Sequence, residues 1–144
     1  MLLTRVRLLV ATLWAGSLWT VGYLVAPTLF ATLYDRALAG TVAASMFRSE
    51  AWLSIACAVI MLALLVVAKE LDARRRRLLV VLAVAMLVCT LVSHFGLQPM
   101  MAELRTGGEM EPAVKTRFGI LHGMSSVIYL IQSVLAGALV IKNA

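Results

Sequence analysis

Four apolar runs, at roughly 8–34, 51–68, 78–97 and 118–141, dominate this chain, and each is long enough to cross a hydrocarbon core as a helix. Lipid offers no water to backbone N–H and C=O groups, so only helices and closed barrels span it. These unbroken runs lack the alternation of barrel strands. With 62% hydrophobic and 14% charged residues, the chain cannot furnish the polar shell of a soluble domain. The expected fold is an all-α integral membrane four-helix bundle forming a single domain. Arg5 and Arg7 precede the first run as they would a secretory signal, but the run far exceeds a ~7–15 residue signal core. It is read as a span.

Charge gives an orientation. The connection KELDARRRR, Lys69–Arg77, lies between the second and third runs, and short basic loops stay in the cytoplasm. Both termini then lie on the cytoplasmic side, and the expected location is a bacterial inner membrane. That side carries the whole formal excess of +6, while the opposite side balances its basic and acidic residues. Arg74, Arg75, Arg76 and Arg77 are read as a topology signal that touches anionic lipid. No folded basic face or stacking platform points to nucleic acid. Cys57 and Cys89 both lie inside spans, which argues against a disulfide framework. No phosphate-binding, dinucleotide or zinc-protease motif occurs, and no catalytic set is read.

Residues 35–50, DRALAGTVAASMFRSE, place Leu38, Val42 and Met46 at helical spacing. They are expected to form an amphipathic helix at the outer interface, capped by Asp35, before the second span. In the other outer segment Pro99 suits the first turn of a short helix, and a turn is expected at Gly107-Gly108. Met100, Met101 and Met110 are thioether groups that pack at an interface or could meet Cu(I).

Each span also carries a polar or small face, which lipid hosts poorly and a bundle turns inward. The faces are Thr12, Gly16, Thr20, Tyr23 and Pro27; Glu50, Ser54, Cys57 and Met61; Met86, Thr90, Ser93 and Leu97; and His122, Ser126, Tyr129 and Ser133. Gly119 and Gly123 form a GxxxG step expected to pack on another helix or on a second copy. Pro27 frees the carbonyl of Tyr23. His122 is expected to complete an inward polar cluster there, with Ser125, Ser126, Gln98 and Arg117 near it. His122, His94, Cys57 and Cys89 fall at similar depth if the spans begin where the apolar runs do. They are the candidate ligands for Cu(I) or Zn(II). Trp14, Trp19, Trp52, Tyr34 and Phe118 read as lipid anchors and packing groups.

WAGSLWTVGYLVAPTLF, then DRALAG and MF, then HFGLQPMMAELR, then RFGILHGMSS resemble the transmembrane protein 205-like family, also catalogued as a domain of unknown function. The likeness runs from about Trp14 to Tyr129, with LHGMS its most specific piece. It marks Pro27, Phe30, Gln98, Pro99, Arg117, His122, Gly123 and Ser125. It implies a small membrane protein distantly like copper-resistance membrane proteins, with a eukaryotic relative associated with resistance to platinum drugs. Three functions stay open at this point. One is a non-enzymatic protein handling a soft metal or small toxic solute. Another is an accessory subunit without a ligand, pairing with itself or a partner membrane protein. The third is a redox protein with haem between His94 and His122.

Overall fold

The computed structural model describes residues 1–106 and 111–144; the expected turn at Gly107-Gly108 and Met110 lie outside the described residues. Four long helices, Leu2–Thr32, Arg36–Val67, Ala73–Arg105 and Pro112–Asn143, are apolar enough to cross a membrane, and no strand occurs among the described residues. The chain is an integral membrane protein. Each helix packs on its neighbours in sequence, and the fourth closes on the first. The termini and residues 68–72 therefore share one end, here the terminal end. Residues 33–35 and the connection after Thr106 share the other, the loop end.

The second helix corrects the expected interfacial helix. Arg36–Val67 is continuous, so residues 36–50 are the first half of a span rather than a separate element in the membrane plane. Asp35 does cap it, its carboxylate accepting from the N–H groups of Ala37 at 2.8 Å and Leu38 at 3.2 Å. No proline interrupts the helix, and alanine-rich sequence favours its continuation. The buried face runs through Ala39 and Ala43, gives way to the half-buried Phe47, and resumes at Glu50, Ser54, Cys57, Met61 and Leu65. Leu38 and Met46, expected on the apolar face of an interfacial helix, are exposed on the outside of this span. In lipid the small face turns inward and the large side chains turn out.

The first and third helices each contain a π-helical turn, Thr20–Val25 and Val92–Leu97, immediately before the segments that begin Ala26-Pro27 and Gln98-Pro99. Ala26 N–H bonds the carbonyl of Val21 and Gln98 N–H that of Ser93, five residues back in each case. Proline lacks a donor and its ring crowds the carbonyl four residues earlier, and the wide turn accommodates both defects.

Below these turns the terminal half is tightly packed. Trp14, Leu18, Met61, Leu65, Leu79, Met86 and Leu139 are fully buried in one apolar cluster with Cys57 and several alanines. At the terminal end Arg7, 1% exposed, pairs with Glu70 and donates to Asn143 Oδ1 at 3.4 Å. Arg75 donates to the Lys142 carbonyl at 2.8 and 3.1 Å, and Arg76 to the Ala68 carbonyl. Two of the four arginines thus satisfy helix C-terminal carbonyls, where a cation also complements the helix dipole.

Candidate ligand cavity at the loop end

Above the π turns the bundle does not close. A cavity of ≈ 470 Å³ opens between all four helices at the loop end. Both π turns contribute to its wall, through Gly22 and Tyr23 on the first helix and Ser93 and His94 on the third. Small residues at Gly22, Ala26, Gly40, Ala43, Ala44, Ala51 and Ser93 leave the space between them unfilled.

The deep end of the cavity is polar. Glu50, 6% exposed, and Gln132, 3% exposed, both line it, as does Thr90. Trp14 Nε1 donates to Ser54 Oγ at 2.9 Å, and Ser54 donates to Glu50 Oε1 at 2.5 Å. Gln132 Nε2 donates to Thr90 Oγ1 at 2.8 Å, and Thr90 donates to the Met86 carbonyl at 3.2 Å. Among the described residues Arg7–Glu70 is the one ion pair, so Glu50 has no cationic partner there.

The middle of the cavity is aromatic. Tyr129 meets Tyr23 and Phe47 edge to face, with ring centroids 6.0 and 5.4 Å apart. Tyr129 Oη donates to the Leu18 carbonyl at 2.6 Å, and Tyr23 Oη to Ser133 Oγ at 2.9 Å. The ring of Tyr129 lies directly on Gly22, where an added Cβ would come within 2.2 Å of it. Nearer the mouth are Phe30, His94, Gln98, Met101, Arg105, His122, Ser125 and Ser126. Arg105 lies 5.2 Å above the Phe118 ring, which stacks parallel to His122. His94 packs edge to face on Trp52 and Phe95.

The expected polar cluster is thus brought together in part. Tyr23, Pro27, Gln98, His122, Ser125 and Ser126 share this cavity, but His122 is exposed at its mouth instead of buried at its centre. Ser126 hydrogen-bonds the backbone carbonyl of His122, not its ring. Tyr129 takes the Leu18 carbonyl, nine residues before Pro27, and the side-chain-bonded carbonyl nearer Pro27 is that of Leu24, taken by Thr28 at 2.6 Å. Arg117 is exposed and off the cavity, being about 140° round the helix from His122.

The four proposed metal ligands are not assembled. His94 and His122 line the cavity, whereas Cys57 is buried in the apolar cluster below and Cys89 is off the cavity wall. Among the described residues no three His, Cys, Asp or Glu side chains form a metal-ligand group. The similar depths assumed that the second span began at Ala51; it begins at Arg36. Met101 is buried on the cavity wall, and Met100 is exposed.

Among the described residues Gly119 and Gly123 pack on no other helix, since a Cβ at either would meet nothing within 4 Å. Gly22 is the position of close approach. Sequence reading placed Glu50 and Thr90 on inward faces but missed Gln132 and the role of Trp14. A glutamine in the middle of an apolar run was the available signal for the first.

A family model described as Domain of unknown function (DUF4149) matches residues 9–109, over half of the chain. The chain belongs to that family. The match covers the first helix from Leu9 and all of the second and third, including Glu50 and both proline-linked turns, and stops before the fourth. No curated protein and no solved structure matches the chain.

Proposed function

We propose that this member of the family is a non-enzymatic membrane protein that takes a small solute into the loop-end cavity. The observation that carries this reading is a buried carboxylate, Glu50, on the wall of a ≈ 470 Å³ cavity without an ion-pair partner among the described residues. A carboxylate inside a membrane protein calls for a proton, a cation or a hydrogen-bonded ligand, and such residues mark solute sites. The orientation that KELDARRRR favours turns the cavity away from the cytoplasm, towards the outer face of an inner membrane. Arg74 and Arg77 face anionic lipid in that arrangement, while the open Gly119–Gly123 surface is available to a second copy.

The soft-metal version rests on the likeness to copper-resistance proteins and on one observation, the two imidazoles of His94 and His122 on the same cavity. Two nitrogen ligands suit Cu(I) better than Zn(II), which takes four. The haem version draws on that same histidine pair.

Filling the cavity tests the central reading. Ala43→Phe introduces a ring on the cavity wall. Native mass spectrometry of protein extracted gently from membranes should show a small bound molecule on the wild type and none on Ala43→Phe. An identical bound mass on both proteins contradicts a solute held in this cavity.

A further inference from the structure

We infer that the deep end of the cavity is an acceptor site for an organic ammonium ion, an inference that rests on the cavity being a solute site. Glu50 Oε1 is engaged by Ser54, and Gln132 Nε2 is engaged by Thr90. That leaves the second carboxylate oxygen of Glu50 and the amide oxygen of Gln132 without partners among the described residues. Arg76 Nε is the one sealed side-chain nitrogen or oxygen lacking a partner there, so these two oxygens are open to the cavity. Both belong to side chains more than nine-tenths buried. The site therefore presents two acceptors and one negative charge, and its complement is a cation that carries N–H donors.

The surroundings select among cations. A bare metal ion needs a shell of several oxygens, and here the next wall groups are the rings of Tyr23, Phe47 and Tyr129. Aromatic faces attract ammonium groups and keep water from the pair. The nearest cation on the cavity wall, Arg105, lies fifteen residues along the third helix from Thr90, roughly 22 Å at ~1.5 Å per residue. It rests on Phe118 at the mouth and does not neutralise Glu50. Between the two charges the wall is largely apolar, with Ala26, Phe30, Ala43 and Leu130 along it. An alkyl or aryl tail on the ammonium fits that stretch.

The test is calorimetry on the full chain in lipid nanodiscs, with empty-disc heats subtracted and hexylammonium, hexan-1-ol and hexanoate as probes. Hexylammonium should bind saturably and at least tenfold more tightly than hexanol or hexanoate. Glu50→Gln should weaken hexylammonium at least tenfold and hexanol far less, and helical circular dichroism matching the wild type shows that the variant is folded. Gln132→Leu supplies the second reading of the same site and should weaken hexylammonium severalfold. Equal binding of hexylammonium and hexanol, or hexylammonium binding unaffected by Glu50→Gln, overturns the ammonium site while leaving a solute cavity in place. Absence of binding by all three probes overturns the ammonium site as well. The bound mass lost in Ala43→Phe is then the separate measure of whether the cavity takes a solute.

Discussion

At the scale of single residues, Gly22 and Gly123 look alike in sequence and differ in consequence. Gly22 leaves room for the Tyr129 ring, whose hydroxyl reaches the Leu18 carbonyl. Gly22→Ala should destabilise the bundle by about 1–3 kcal/mol, the usual cost of overpacking. Combining it with Tyr129→Ala should cost less than the sum of the two changes, because the clash is then gone. Gly123→Ala meets open space and should be neutral or stabilising by up to about 1 kcal/mol, since alanine is the better helix former. Thermal unfolding in one detergent measures these variants against the wild type; equal losses for Gly22→Ala and Gly123→Ala would contradict this assignment. On the first helix the expected face holds only towards the loop end, where Tyr23 and Pro27 line the cavity. Thr12 and Thr20 are exposed, and the buried residues are Arg7, Ala11, Trp14, Ala15 and Leu18. A helical threonine or serine can bond its own carbonyl four residues back, as Thr28 and Thr41 do here, so a hydroxyl does not have to face inward. On the second and third helices the polar faces were read correctly, because Glu50 and the Thr90–Leu97 spacing leave fewer alternatives.

At the scale of elements, the terminal end is held by charge and the loop end is held apart. Arg7 is buried while Glu70 stays 41% exposed, and the pair ties the first helix to the connection after the second. The Arg7 hydrogen bond holds the Glu70 carboxyl below its ordinary value of 4.5. A carboxylate with a depressed folded-state pKa contributes stability that is present above 4.5 and is lost as pH falls through the lower folded value. The melting temperature should therefore drop on acidification below that value more in the wild type than in Glu70→Gln. Parallel curves would mean that the pair contributes nothing to the fold. The π turns were only half legible. Pro27 and Pro99 announced a disturbance, but a proline can be met by a kink or by a widened turn, and the local sequence does not say which.

At the scale of the whole molecule, four apolar runs and one basic connection were enough to read the bundle, because lipid permits so few ways of satisfying a backbone. The cavity was not legible. It arises where small residues of the first three helices meet at and beyond the π turns, facing the fourth helix, a coincidence in space that spacing within one helix does not reveal. Its orientation is open to a direct check. In a background with Cys57 and Cys89 replaced by serine, a cysteine at position 75 should react with an impermeant thiol reagent only after the membrane is opened. Labelling from intact cells would reverse the assigned sidedness. The central claim, a cavity open at the loop end above a sealed terminal half, is tested most directly by thiol chemistry in nanodiscs, where both faces are accessible. In the same background a cysteine at Ser93, on the cavity wall, should react readily with a small water-soluble methanethiosulfonate, and adding Ala43→Phe should slow it at least tenfold. A cysteine at Ala58, fully buried in the packed half, should stay unreacted. Equal reaction at positions 93 and 58, or none at 93, would contradict the cavity.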